Sequence, residues 1–86
     1  MNLAEFFEKF KTFLAEFDPG LDLHGLTTES HLWAEGYVSS FTMLNVVAFL
    51  EDETGRNIEL NPDTLQNFFT IDRIYQAYVA PGEVRQ

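Results

Sequence analysis

The feature that most constrains this chain is an apolar stripe near its start. Leu3, Phe6, Phe7, Phe10, Phe13, Leu14 and Phe17 recur at intervals of three and four, the spacing that places side chains on one face of an α-helix. Glu5, Glu8, Lys9, Lys11 and Glu16 fall mostly on the other face. So aromatic a stripe has to be buried against other elements, and it reads as core packing rather than as a cofactor-binding surface. Glu5 and Lys9 stand in the i,i+4 arrangement that favours an ion pair. Asp18-Pro19-Gly20 ends the helix, with proline as the stop and glycine as a flexible exit.

With 86 residues the chain is expected to form one domain, its core spanning residues 3–80. A hydrophobic fraction of 45% and nine phenylalanines suffice for a core and argue against disorder. The absence of cysteine excludes disulfides, thiolate metal sites and a side-chain thiol nucleophile. Glu5 and Glu8 interrupt the first apolar residues, so no signal peptide is read, and the run Val46 to Leu50 is far too short to span a bilayer. A soluble, cytoplasmic monomer is the expectation. The net charge of −9 argues against nucleic acid as a partner. It favours basic protein partners, although acidity can also simply keep a small protein soluble. Ten acids and a single base, Arg56, lie between Glu16 and Asp63, which makes a patch rather than a uniform coat.

Residues 18–39 show no sustained period. They carry Gly20, Gly25 and Gly36, the polar run Thr27-Thr28-Glu29-Ser30, and isolated anchors at Leu21, Leu23, Leu26, Leu32 and Trp33. A connection this long is usually functional or disordered; the spaced anchors point to an ordered loop pinned to the core. A second helix is predicted from Ser39 or Ser40, either able to cap it, to about Thr54, with Gly55 as the stop. Asn61-Pro62-Asp63 opens a short helix through about Asn67. Thr70 caps a last helix carrying Ile71, Ile74, Tyr75 and Tyr78, which Pro81-Gly82 ends before a frayed tail to Gln86. The expected fold class is all-α, a bundle of three main helices plus a short third one, with a long first loop.

The second helix has two apolar faces. At about 100° per residue, Met43, Val46, Val47 and Leu50 fall on one side, while Phe41, Leu44 and Ala48 fall nearly opposite, flanked by Asn45 and Asp52. Such a helix is either central and fully buried, or it presents one face to a partner. Glu51, Asp52 and Glu53 sit near its C-terminus, where they oppose the helix dipole. They suggest a purpose other than helix stability, unless they are simply a solvated end.

The stretch Leu32-Trp33-Ala34-Glu35-Gly36-Tyr37-Val38-Ser39-Ser40-Phe41-Thr42-Met43-Leu44 resembles the modification site of acyl carrier proteins, where Asp-Ser-Leu or Asp-Ser-Met opens the second helix. Aligning that serine with Ser40 puts the family's hydrophobic position on Phe41 and its apolar-then-acidic helix on Val46 to Glu53. Phe69-Thr70-Ile71 matches the short motif that opens the last helix, and Leu32 to Gly36 looks closest to discrete D-alanyl and peptidyl carriers. The resemblance covers residues 4–80.

It implies a free-standing, non-catalytic carrier with an acyl-carrier-like four-helix bundle. A phosphopantetheinyl transferase would join a 4'-phosphopantetheine arm from coenzyme A to Ser40, with magnesium in the transferase's own site. Fatty acyl, polyketide, aminoacyl or D-alanyl cargo would then be held as a thioester between a loading enzyme and a downstream transferase or synthase. By the same resemblance Phe41, Leu44, Asn45, Ala48 and Asp52 would face those partners. The chain departs from the pattern at Ser39, which replaces the usual aspartate and offers a second hydroxyl as an alternative attachment point. Thr42 and Asn45 stand where acids often sit, so recognition is expected to be more apolar than usual. An unmodified helical interaction module, using Phe41, Leu44 and Ala48 as its patch, is the alternative.

Other chemistries find little support. His24 and His31 lack metal-site spacing, and Asp18 to Glu29 lacks the ligand alternation and central glycine of a calcium loop. No strand–turn–helix context accompanies the serines, which argues against a hydrolase.

Overall fold

The computed structural model describes residues 1–83, and all of its regular elements are helical. Helix α1 spans Leu3–Phe17 and α2 spans Ser40–Thr54. A 3₁₀ turn lies at Leu65–Phe68, and α3 begins at Ile71–Ile74. The radius of gyration, 12.2 Å, matches the roughly 12 Å expected of a packed chain of this length.

Helix α1 starts with a feature the apolar stripe does not reveal. Asn2 caps it in a reciprocal box: the Glu5 amide donates to Asn2 Oδ1 at 2.8 Å, and the Asn2 amide donates to Glu5 Oε1 at 3.0 Å. This engages Glu5 and corrects the expected Glu5–Lys9 pair. Lys9 instead reaches α2, with Nζ 3.1 Å from Glu53 Oε1. The stripe itself is core: Phe6, Phe10 and Leu14 are fully buried, while Phe7 and Phe13 pack around them. Each such side chain contributes about 1.5–3 kcal/mol on burial.

Helices α1 and α2 run antiparallel. Lys9 meets Glu53, the Phe13 ring stacks on Phe49 at 4.8 Å, and Phe17 meets Phe41 at 6.1 Å, so the contacts advance along one helix as they retreat along the other. Met43, Val46 and Leu50 point into the core and are fully buried. Gly55 ends α2 in the left-handed region at φ 71°, donating to the Glu51 carbonyl at 2.8 Å; a Cβ is disfavoured there, which is why glycine marks the stop.

The connection over residues 18–39 is ordered as a chain of turns. Leu26, Leu32 and Val38 are buried. Two backbone bonds tie the loop to the start of the last helical segment: Leu32 N–H to the Phe69 carbonyl at 2.7 Å, and Asp72 N–H to the Thr28 carbonyl at 2.9 Å. Ser30, buried in this loop, accepts the Thr27 amide at 2.9 Å.

Two expectations about the C-terminal half are corrected. Asn61 does act as a cap, its Oδ1 accepting the amides of Asp63 and Thr64 at 2.9 and 3.1 Å. The chain then makes a turn and enters the 3₁₀ segment, and no α-helix runs through Asn67. The last segment is capped by Thr70, whose Oγ1 accepts the Arg73 amide at 3.0 Å, but it holds α-geometry only through Ile74. It widens to a π-helix over Tyr75–Val79, closing the Ala80 amide onto the Tyr75 carbonyl, and then tightens to 3₁₀ over Ala80–Glu83. Pro81 and Gly82 therefore lie inside the helical segment instead of ending it. Proline lacks an N–H and clashes with an α-helical carbonyl four residues back, so the chain passes it with altered turns on either side. The Arg56 guanidinium donates to the Tyr78 carbonyl in this stretch. The expected fraying concerns residues 84–86, outside the described residues.

Candidate functional site

Where the long connection enters α2, the backbone distinguishes two serines that the sequence left interchangeable. Ser39 is extended, at φ −128° and ψ 178°, and its Oγ accepts the Thr42 amide at 3.3 Å. That makes it the N-cap, since a residue just outside the first turn can fold its side chain back onto the third helical amide. Ser40 is then the first helical residue. It is exposed, and its hydroxyl has no hydrogen-bond partner among the described residues. The amides of Ser40 and Phe41 are open as well, as the first amides of a helix are unless capped. A free hydroxyl thus stands beside two N–H donors at the positive end of a 15-residue helix, where attached negative charge is tolerated.

The face behind Ser40 is the apolar one. Phe41 and Leu44 are the large hydrophobic side chains that the described residues expose, at 72% and 66%. Ala48 and Asp52 continue the exposed strip, and half-buried Asn45 donates from Nδ2 to the Phe41 carbonyl at 3.4 Å. Of the two arrangements open to a helix with two apolar stripes, α2 adopts the one that presents a face to solvent. Val47 is only half-buried, at the edge of the core. Phe17 was missing from the sequence-derived patch: its ring lies 6.1 Å from Phe41 and extends the apolar surface onto α1. Its position at the end of the α1 stripe, just before Asp18-Pro19-Gly20, was the available signal.

The acids at the end of α2 divide into two kinds. Glu51 accepts the Ile58 amide at 2.9 Å, pinning the chain that leaves the helix, and Glu53 pairs with Lys9 on α1. Asp52, between them, is exposed and has no partner among the described residues. Two of the three thus hold the fold together despite opposing the dipole.

The histidines have local structural duties. The His31 ring packs on Phe69 at 4.7 Å and its Nδ1 accepts the Ala34 amide at 3.0 Å, while the exposed His24 donates its amide to Asp22. No group of three or more His, Cys, Asp or Glu is placed to hold a metal ion among the described residues. Trp33 packs against the core as a loop anchor, with its indole N–H buried and unpartnered among the described residues. None of the helices among those residues is long and apolar enough to cross a membrane.

Comparison with protein families, curated proteins and solved structures returns no match to this chain. The site is therefore read from its own geometry.

Proposed function

We propose that this chain is a carrier protein, with an acyl-carrier-like four-helix arrangement, that takes a 4'-phosphopantetheine arm on Ser40. The single observation behind this reading is the exposed, unpartnered Ser40 hydroxyl at the first position of α2, directly ahead of the exposed Phe41–Leu44–Ala48 face.

The residues present fit such a group. Ser40 offers the oxygen for a phosphodiester, and the open first-turn amides with the helix dipole favour its charge. Ser39 meets the local need for a cap, so Ser40 is not held in that role. When attached, the arm supplies a terminal thiol that holds an acyl or aminoacyl group as a thioester, a function for which this chain has no cysteine of its own. Phe41, Leu44 and Ala48, with Asn45 and Asp52 at the margin, form the surface on which a phosphopantetheinyl transferase, a loading enzyme and a downstream transferase or synthase would dock. The reading assigns the chain no catalysis.

Intact-mass spectrometry after incubation with coenzyme A and a broad-specificity phosphopantetheinyl transferase tests this. The expected addition is about 340 Da, one covalent arm, lost in Ser40→Ala and retained in Ser39→Ala. No addition to the wild type, under conditions that modify a control carrier, overturns the proposal.

The exposure of Phe41 and Leu44 also favours a second reading, an unmodified interaction module that docks a partner helix on this face. In that case binding survives Ser40→Ala and is lost in Leu44→Asp.

A further inference from the structure

The last turn before α2, over residues 31–36, is closed by a histidine. His31 Nδ1 accepts the Ala34 amide at 3.0 Å, and the His31 carbonyl accepts the Glu35 amide at 2.9 Å. The Glu35 carboxylate returns the contact, accepting the His31 amide at 3.3 Å. The turn thus has the reciprocal form of a helix cap, with an imidazole nitrogen in place of a serine or aspartate oxygen. From it the chain runs directly to α2. The Leu32 carbonyl accepts the amides of Tyr37 and Val38 at 2.9 and 3.1 Å, Val38 is buried, and Ser39 follows as the cap.

An imidazole accepts through Nδ1 only when that nitrogen carries no proton, so the closed turn requires the neutral ring with its proton on Nε2. In the imidazolium both nitrogens are donors, and the Ala34 amide loses its acceptor. What this bond contributes is therefore present with the neutral ring and lost as the pH falls. The charged groups that the described contacts bring to His31 are Glu35 and Arg73. Glu35 lies on the same turn, and the Arg73 guanidinium lies 5.9 Å from the Phe69 ring on which His31 packs. Arg73 has no acceptor to offer the freed amide, and the Glu35 carboxylate already holds the His31 amide. The same turn carries Trp33, whose indole N–H is buried without an acceptor among the described residues. A buried unpaired donor is a cost that opening relieves, so the closed turn has little margin and one lost bond tips it.

We propose that His31 is a proton-sensitive latch on the turn leading into α2, closed while its ring is neutral and released when the ring is protonated. Release exposes Trp33 and frees the chain ahead of Ser39 and Ser40. The latch does not depend on what Ser40 carries.

Trp33 is the chain's one tryptophan, so its fluorescence reads the turn directly. Emission wavelength and acrylamide quenching of the full chain, followed from about pH 8 to about pH 5, where histidine changes charge, test the proposal. On acidification the emission should shift to the red. The open population should rise about two- to tenfold, the equivalent of one hydrogen bond, with far-UV circular dichroism unchanged. His31→Asn, which keeps an acceptor that does not titrate, should stay closed throughout. His31→Phe keeps a ring for Phe69 but no acceptor, and should be red-shifted already at the upper pH. His24→Gln and Glu35→Gln should keep the wild-type response. An emission that ignores pH, a response that survives in His31→Asn or vanishes in His24→Gln or Glu35→Gln, an unshifted His31→Phe, or a red shift accompanied by loss of helical signal would each overturn it.

Discussion

Replacing Ser39 and Ser40 one at a time by alanine should separate a structural serine from a chemical one. Loss of an N-cap serine typically costs about 0.5–2 kcal/mol. Here the Oγ to amide distance is 3.3 Å, longer than the usual 2.9–3.0 Å or so, and Ser39 is exposed, so water recovers part of the bond. The lower half of the range, about 0.5–1 kcal/mol, is therefore expected for Ser39→Ala. In a domain this small each kcal/mol moves Tm by about 4–8 °C, so Tm should fall by about 2–8 °C. Ser40 makes no such bond, and Ser40→Ala should stay within about 0.5 kcal/mol of the wild type. Ser39→Asp keeps an acceptor and adds charge near the positive helix end, and should gain about 0.3–1 kcal/mol. Thermal and urea melts followed by circular dichroism measure these effects, and intact-mass spectrometry after transferase treatment measures attachment. Ser39→Ala should lose stability and keep the arm, and Ser40→Ala should do the reverse. The reasoning is refuted if Ser40→Ala is the more destabilising variant, or if Ser39→Ala abolishes the mass addition.

Other variants probe the surfaces and the core. Phe41→Ser and Leu44→Ser, both at exposed positions, should change stability by less than about 0.5 kcal/mol yet slow transfer from partner enzymes, which steady-state kinetics of the modified chain will show. Phe10→Ala removes a fully buried ring in edge contact with Phe6 and Phe49; a loss of about 3–5 kcal/mol is expected in urea melts, a large share of a small domain's stability. Glu51→Ala strips the acceptor from the Ile58 amide and should cost about 1.5–3 kcal/mol, whereas Asp52→Ala next to it should be close to neutral by the same assay. Gly55→Ala forces a side chain into a backbone at φ 71° and should cost about 1–2 kcal/mol.

Much of the local architecture was legible in the residues. The α1 stripe, the Gly55 stop, the Thr70 cap and the ordered loop anchored by Leu26 and Leu32 come from periodicity and backbone preference, which are properties of short stretches. The misreadings share a cause. Glu5 stood where it could pair with Lys9, but the Asn2 box claimed it and left Lys9 free to cross to Glu53. Pro81 read as a helix stop, yet altered turns carry the helical segment past it. In each case a competing contact or a change of helical register decided between two locally reasonable outcomes.

The candidate site divides along the same line. By itself the sequence determined that two serines precede a helix with opposite apolar faces, because composition and spacing carry that information directly. Only the tertiary structure decided which serine caps and which is free, and which face meets the core and which meets water. A cap depends on whether the residue's backbone is extended when the helix begins. Burial depends on what the remaining chain packs against: Met43, Val46 and Leu50 join one core with residues of α1, the loop and the last helical segment, while Phe41 and Leu44 stay exposed.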